Sequence, residues 1–82
     1  MSVRILYFAG LKEKLGRPAE TIDLPPEIHT VGGLRDWLVG QGREALATTR
    51  NLRCAVNQDM ATLDVPIQDG DEIAFFPPVT GG

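Results

Sequence analysis

From Val3 to Ala9 nearly every position is apolar, with Arg4 the single interruption, and this density predicts a buried strand. Leu11 to Leu15 predicts a short helix, stopped by Gly16 at a C′ position with Pro18 just beyond. Glu20 to Leu24 then alternates polar and apolar, placing Ile22 and Leu24 on one face of a second strand. Pro25-Pro26 closes that strand, because proline cannot donate to a sheet ladder. Thr30 is a good N-cap for the next element, where Val31, Leu34 and Leu38 recur at helical spacing and Trp37 flanks their stripe.

This helix contains Gly32, Gly33 and Gly40, each costing up to about 1 kcal/mol relative to alanine, so its stability must come from tertiary packing. Gly42 ends it, and Arg43 to Thr49 adds a further helical turn before Leu52 to Asn57 reads as a strand. A turn is expected at Asp59, then a short strand over Met60 to Leu63. Ile67 leads into an Asp69-Gly70 turn, and Glu72 to Phe76 is the last strand. The order of elements predicts one α+β domain over residues 1–76, a helix covering one face of a mixed sheet, followed by a flexible tail over 77–82.

At 82 residues the chain has room for one small core and for no second domain to house a catalytic pocket. A net charge of -3, with the basic residues scattered, argues against nucleic acid as a partner. No apolar run is long enough to cross a bilayer, so no membrane association is expected. The lone Cys54 and the lack of a signal-peptide pattern place the protein in the cytoplasm by expectation. One cysteine and one histidine cannot build a protein zinc cage, so no metal site is predicted.

Candidate catalytic groups are few. His29 lies in a proline-rich loop, and Cys54 sits within an apolar strand pattern where a free cysteine behaves as a small buried hydrophobe. Asp69, Asp71 and Glu72 lack the ligand spacing of a calcium loop and read as a solvated turn. Gly32-Gly33 lacks the glycine pattern and lysine of a phosphate loop. The tail from Phe76 to Gly82 carries no charged side chain, so its charge is the terminal carboxylate. Pro77 and Pro78 favour an extended exit reaching about 20 Å. Gly81 and Gly82, lacking Cβ atoms, suit a channel too narrow for other residues.

The stretch from Asp69 to Gly82, DGDEIAFFPPVTGG, resembles the C-terminal signature of molybdopterin synthase small subunits. The resemblance extends to Ala55-Val56-Asn57-Gln58, to Phe8-Ala9 and to Leu34-Arg35, and so spans nearly the whole chain outside Gly40 to Asn51. It implies the ubiquitin-like β-grasp fold, in agreement with the order of elements read above. It also implies that a ubiquitin-activating-type adenylyltransferase uses ATP to adenylate the Gly82 carboxylate, which a sulfur donor converts to a thiocarboxylate. No permanently bound cofactor is implied. The charged tail would then give its sulfur to cyclic pyranopterin monophosphate in the large subunit of the synthase, a heterotetramer.

By the same resemblance Phe8, Met60 and Phe76 form an apolar docking patch, and Pro77, Pro78, Val79, Thr80 and Gly81 enter the partner ahead of Gly82. Phe75 and Phe76 are adjacent in a strand and must face opposite sides, and Phe76 is the member expected to be exposed. A thiamine-pathway sulfur carrier and a ubiquitin-like protein modifier are the alternative readings. Either would use the same Gly-Gly end.

Overall fold

The structure, a computed structural model, describes residues 1–78; Val79, Thr80, Gly81 and Gly82 lie outside the described residues. In chain order the elements are β1 (Ser2–Tyr7), α1 (Gly10–Leu15), β2 (Ala19–Asp23), α2 (Val31–Gly40), α3 (Ala45–Thr48), β3 (Arg53–Val56), β4 (Asp59–Ala61) and β5 (Glu72–Phe76). The strands form one five-stranded sheet in the order β2-β1-β5-β3-β4. Only β1 and β5 pair in parallel, Ile5 opposite Ile73 and Tyr7 opposite Phe75, so the sheet is mixed. This is the α+β, β-grasp layering predicted above.

Side-chain alternation divides the sheet into two faces. Val3, Ile5 and Tyr7 of β1, Cys54 of β3, and Ile73 and Phe75 of β5 turn inward, all buried. Against them pack Val31, Leu34 and Leu38 of α2, each fully buried, with Leu11 of α1, Leu46 of α3 and Ile67 of the loop before β5. Each large apolar side chain so enclosed contributes about 1.5–3 kcal/mol. Thr30 caps α2 as expected, its Oγ1 accepting from the Gly33 amide at 3.1 Å, and Gly16 ends α1 in the left-handed conformation at φ 74°.

Several boundaries differ from the sequence reading for local reasons. The first strand stops at Tyr7 rather than Ala9, because Ala9 turns to φ 54° and its carbonyl accepts from the Lys12 amide to open α1. Helix α2 ends at Gly40, with Gln41 as its C-cap and Gly42 at φ 101° beyond. The turn after β3 is Asn57-Gln58 and not Asp59: both residues take positive φ, 50° and 73°, while Asp59 already pairs with Val56. Two left-handed residues match the twist of a two-residue hairpin. Asn57 is held there by donating to Asp71 Oδ1 and accepting from the Glu72 amide, 2.9 and 3.0 Å, which ties the hairpin to β5.

Strand β4 covers only Asp59–Ala61, shorter than the Met60 to Leu63 reading, because the chain must then turn back toward α2. There the Gly32 amide donates to the Leu63 carbonyl at 2.8 Å and the Val31 amide to the Val65 carbonyl at 3.0 Å. A Cβ on Gly32 would stand 3.1 Å from that carbonyl oxygen. The glycine that weakens the helix intrinsically is thus what lets the loop close over its first turn.

Candidate functional site: the open face of the sheet

The face of the sheet turned away from the helices is the candidate site. Ladder register places Leu6 opposite Ala74, Ala74 opposite Ala55, and Ala55 opposite Met60, an apolar row across β1, β5, β3 and β4. Two alanines in the middle and two long side chains at the ends make a trough of about 400 Å³, lined also by Phe8, Phe76, Gln58 and Glu72. Phe8 is 48% exposed and Met60 63%, large values for apolar side chains. Contiguous apolar surface of this kind on a small protein marks a contact site.

The structure therefore brings Phe8, Met60 and Phe76 to one depression, although they lie far apart in sequence. Phe75 is fully buried beneath the helices, as alternation requires. Phe76, expected to be exposed, is half-buried, because it forms part of the trough wall. Leu6, Ala55 and Ala74 were missed in sequence. Alternation from the inward-facing Ile5, Cys54 and Ile73 was the signal that could have found them, but only register shows that they adjoin.

Pro77 and Pro78 follow β5 directly, both half-buried, so the chain leaves the sheet beside Phe76 at the aromatic end of the trough. Neither proline has an amide hydrogen to continue a ladder. Val79, Thr80 and Gly81, expected to enter the partner, and the expected reactive terminus Gly82 lie outside the described residues.

The other candidate groups have structural employment. Cys54 is buried, donates to the Ala61 carbonyl at 3.2 Å, and burial pushes its thiol above the ordinary range, which favours the protonated form. His29 is exposed, its Nδ1 3.1 Å from the Glu27 carbonyl. Asp69 accepts from the Ser2 amide at 2.6 Å, and Asp71 from the Gln68 amide at 2.8 Å, so these carboxylates tie down the turn before β5. Among the described residues no three His, Cys, Asp or Glu side chains cluster as metal ligands, and no helix is long and apolar enough to cross a membrane.

One polar network sits beside the core. The Tyr7 hydroxyl donates to Glu20 Oε2 at 2.6 Å, Arg43 donates to both carboxylate oxygens at 3.1 and 2.5 Å, and Arg17 adds a bond of 3.1 Å. Burial would raise the Glu20 pKa, but the hydrogen bonds from Arg43 and Tyr7 and the two guanidinium charges prevail and hold it below the usual carboxylate range. The Tyr7 hydroxyl is pushed far upward, by burial first and then by Glu20. This network fastens β1 and β2 to the connection between α2 and α3. It lies on the helix side, away from the trough.

The described part of this arrangement is an apolar trough beside the end of the last strand, with no acid–base or nucleophilic set of its own. Similar proteins match the chain over their full length. The molybdopterin synthase sulfur carrier subunit of Escherichia coli is 43% identical over 82 residues, covering 98% of this chain and 99% of the relative. The crystal structure of SAMP1 from Haloferax volcanii has 30% identity and a TM-score of 0.80, covering 100% of both chains. A chain of the protein–protein complex of subunits 1 and 2 of the molybdopterin-converting factor from Helicobacter pylori has 28% identity and a TM-score of 0.68, again with 100% of both chains covered. The ThiS family pattern matches residues 5–82, and with these likenesses it shows that the chain belongs to the ThiS family, alongside the molybdopterin synthase sulfur carrier subunits.

Proposed function

We propose that this chain is the sulfur carrier of a molybdopterin synthase, a co-substrate that works through the Gly82 carboxylate. A 1–76 domain presents the trough, and residues 77–82 form the tail that enters the partner. A carboxylate is a poor electrophile, so it is first adenylated with ATP by a ubiquitin-activating-type enzyme. A sulfur donor then displaces AMP and leaves a thiocarboxylate. In the large subunit the thiocarboxylate gives up its sulfur to cyclic pyranopterin monophosphate, and two such transfers build the dithiolene that holds molybdenum. Acid, base and anion-binding groups come from the large subunit.

The observation that carries this reading is the apolar trough, whose wall includes Phe76, with Pro77 and Pro78 next in the chain ahead of the Gly-Gly segment. Docking through Phe8, Met60 and Phe76 aims that segment, with Val79, Thr80 and Gly81, into the partner's active site. The full-length likeness to the Escherichia coli carrier supports the substrate assignment. The complex of the Helicobacter pylori subunits supports a large-subunit partner.

The test is intact-mass measurement after incubation with the activating enzyme, ATP and a sulfur donor. A gain of about 16 Da, absent when Gly82 is deleted, is the expected exchange of oxygen for sulfur at an activated acyl group. An unchanged mass with an active, matching enzyme refutes it. The likeness to the Haloferax volcanii protein favours one second reading, a protein modifier. That reading predicts instead an isopeptide between Gly82 and a lysine of another protein.

A further inference from the structure

Three charged side chains of the central strands project from the open face: Arg4 on β1, Glu72 on β5 and Arg53 on β3. Arg4 and Glu72 are direct ladder partners, so their opposite charges offset each other. Arg53 has no such counterpart, for its ladder partner is Phe76. The ion pairs among the described residues engage Met1, Arg17, Arg35 and Arg43, and none engages Arg53. Arg53 is exposed, and its ladder partner Phe76 lines the trough just before the chain departs at Pro77.

Adjacent strands lie about 4.8 Å apart, so the Arg53 stem starts one strand spacing from Phe76. Any protein surface that fills the trough and follows the chain out along Phe76 and Pro77 passes within reach of its guanidinium. Covering that charge without a counterion would be costly, whereas a carboxylate meets it with two parallel hydrogen bonds. With a net charge of -3 the chain is a poor match for an acidic protein at long range. Arg53 reverses the local sign at the one place where docking must be aligned with tail entry.

We propose that Arg53 is a specificity-determining residue of the open face, taking a carboxylate of the protein that fills the trough and thereby fixing its register at the root of the tail. This rests on the docking reading above and adds to it the chemistry of the partner: an apolar ridge flanked by an acidic side chain.

The experiment is titration calorimetry of the full chain against purified molybdopterin synthase large subunit, at low and at physiological salt, with thermal melts of every variant. Arg53→Glu is compared with Arg50→Glu, which makes the same change in net charge at another exposed arginine. Arg53→Glu weakens binding about tenfold more than Arg50→Glu, while the melts coincide, and Arg53→Lys recovers part of the loss. Changing a single acidic residue of the partner to lysine restores binding to Arg53→Glu. Equal affinities and equal salt dependence for Arg53→Glu and Arg50→Glu overturn the proposal. Met60→Asp separates the two levels: if it abolishes binding while Arg53→Glu matches Arg50→Glu, only the role of Arg53 falls. If Met60→Asp binds like the parent, the docking reading itself falls.

Discussion

Replacing Glu20 by alanine removes the acceptor at the centre of the Tyr7–Arg43–Arg17 network, and the structure sets the size of the effect. The Glu20 side chain is only 11% exposed and that of Arg43 21%, so neither is freely solvated once its partner is gone. The charge-assisted bonds from Arg43 are worth about 1.5–3 kcal/mol together, and stranding the buried Tyr7 hydroxyl adds about 1 kcal/mol or more. Arg43 keeps its bond to the Gln41 carbonyl at 2.8 Å and reaches water with its exposed part, which limits the damage. The expected loss is about 3 kcal/mol, a fall in Tm of roughly 12–24 °C for a domain of this size. Tyr7→Phe leaves the carboxylate with its arginines and costs only about 1 kcal/mol.

The pH dependence follows from the depressed pKa of Glu20 in the folded state. Its stabilising contribution is fully present above the unfolded value, about 4.3, and is lost as pH falls through the lower folded value. The difference between parent and Glu20→Ala is therefore full at neutral pH and shrinks below about pH 4. Urea titrations followed by circular dichroism at several pH values measure it. A loss under about 1 kcal/mol at neutral pH, or one unchanged in acid, refutes the reasoning. Large-subunit binding at a temperature where the variant is folded stays at the parent value, because the network lies on the other face of the sheet.

Two glycines of α2 respond oppositely to substitution. Gly32→Val drives a branched side chain into Leu63, whose carbonyl oxygen and Cβ stand 3.1 and 3.2 Å from the first added carbon, and costs about 2 kcal/mol. Gly40→Ala meets nothing within 4 Å and stabilises by up to about 1 kcal/mol, and thermal melts of the pair show both signs. Cys54 reacts slowly with a thiol reagent in the native protein and rapidly in denaturant, since its thiol is buried and its pKa raised. Equal rates in the two conditions would contradict its placement in the core.

The amino-acid sequence by itself determined whatever depends on neighbours within a turn of helix or a few residues of strand. The Val31, Leu34 and Leu38 stripe, the Thr30 cap, the Gly16 stop and the opposed Phe75 and Phe76 are set by local sterics, helical or strand periodicity and short-range hydrogen bonds. The resemblance in the tail is likewise carried by contiguous residues. Other features depended on which distant segments lie side by side. Glu20 meets Arg43 across 23 positions, and Asn57 fixes its hairpin through Asp71, 14 positions on. Gly32 makes room for Leu63. The trough is the clearest case, since Leu6, Ala74, Ala55 and Met60 form a row only through three strand registers, one parallel and two antiparallel. A one-residue slip in any of them would turn that strand's side chains to the opposite face. Tertiary structure decided the site because strand register is settled by burying the whole inner face of the sheet at once, and no single segment carries that information.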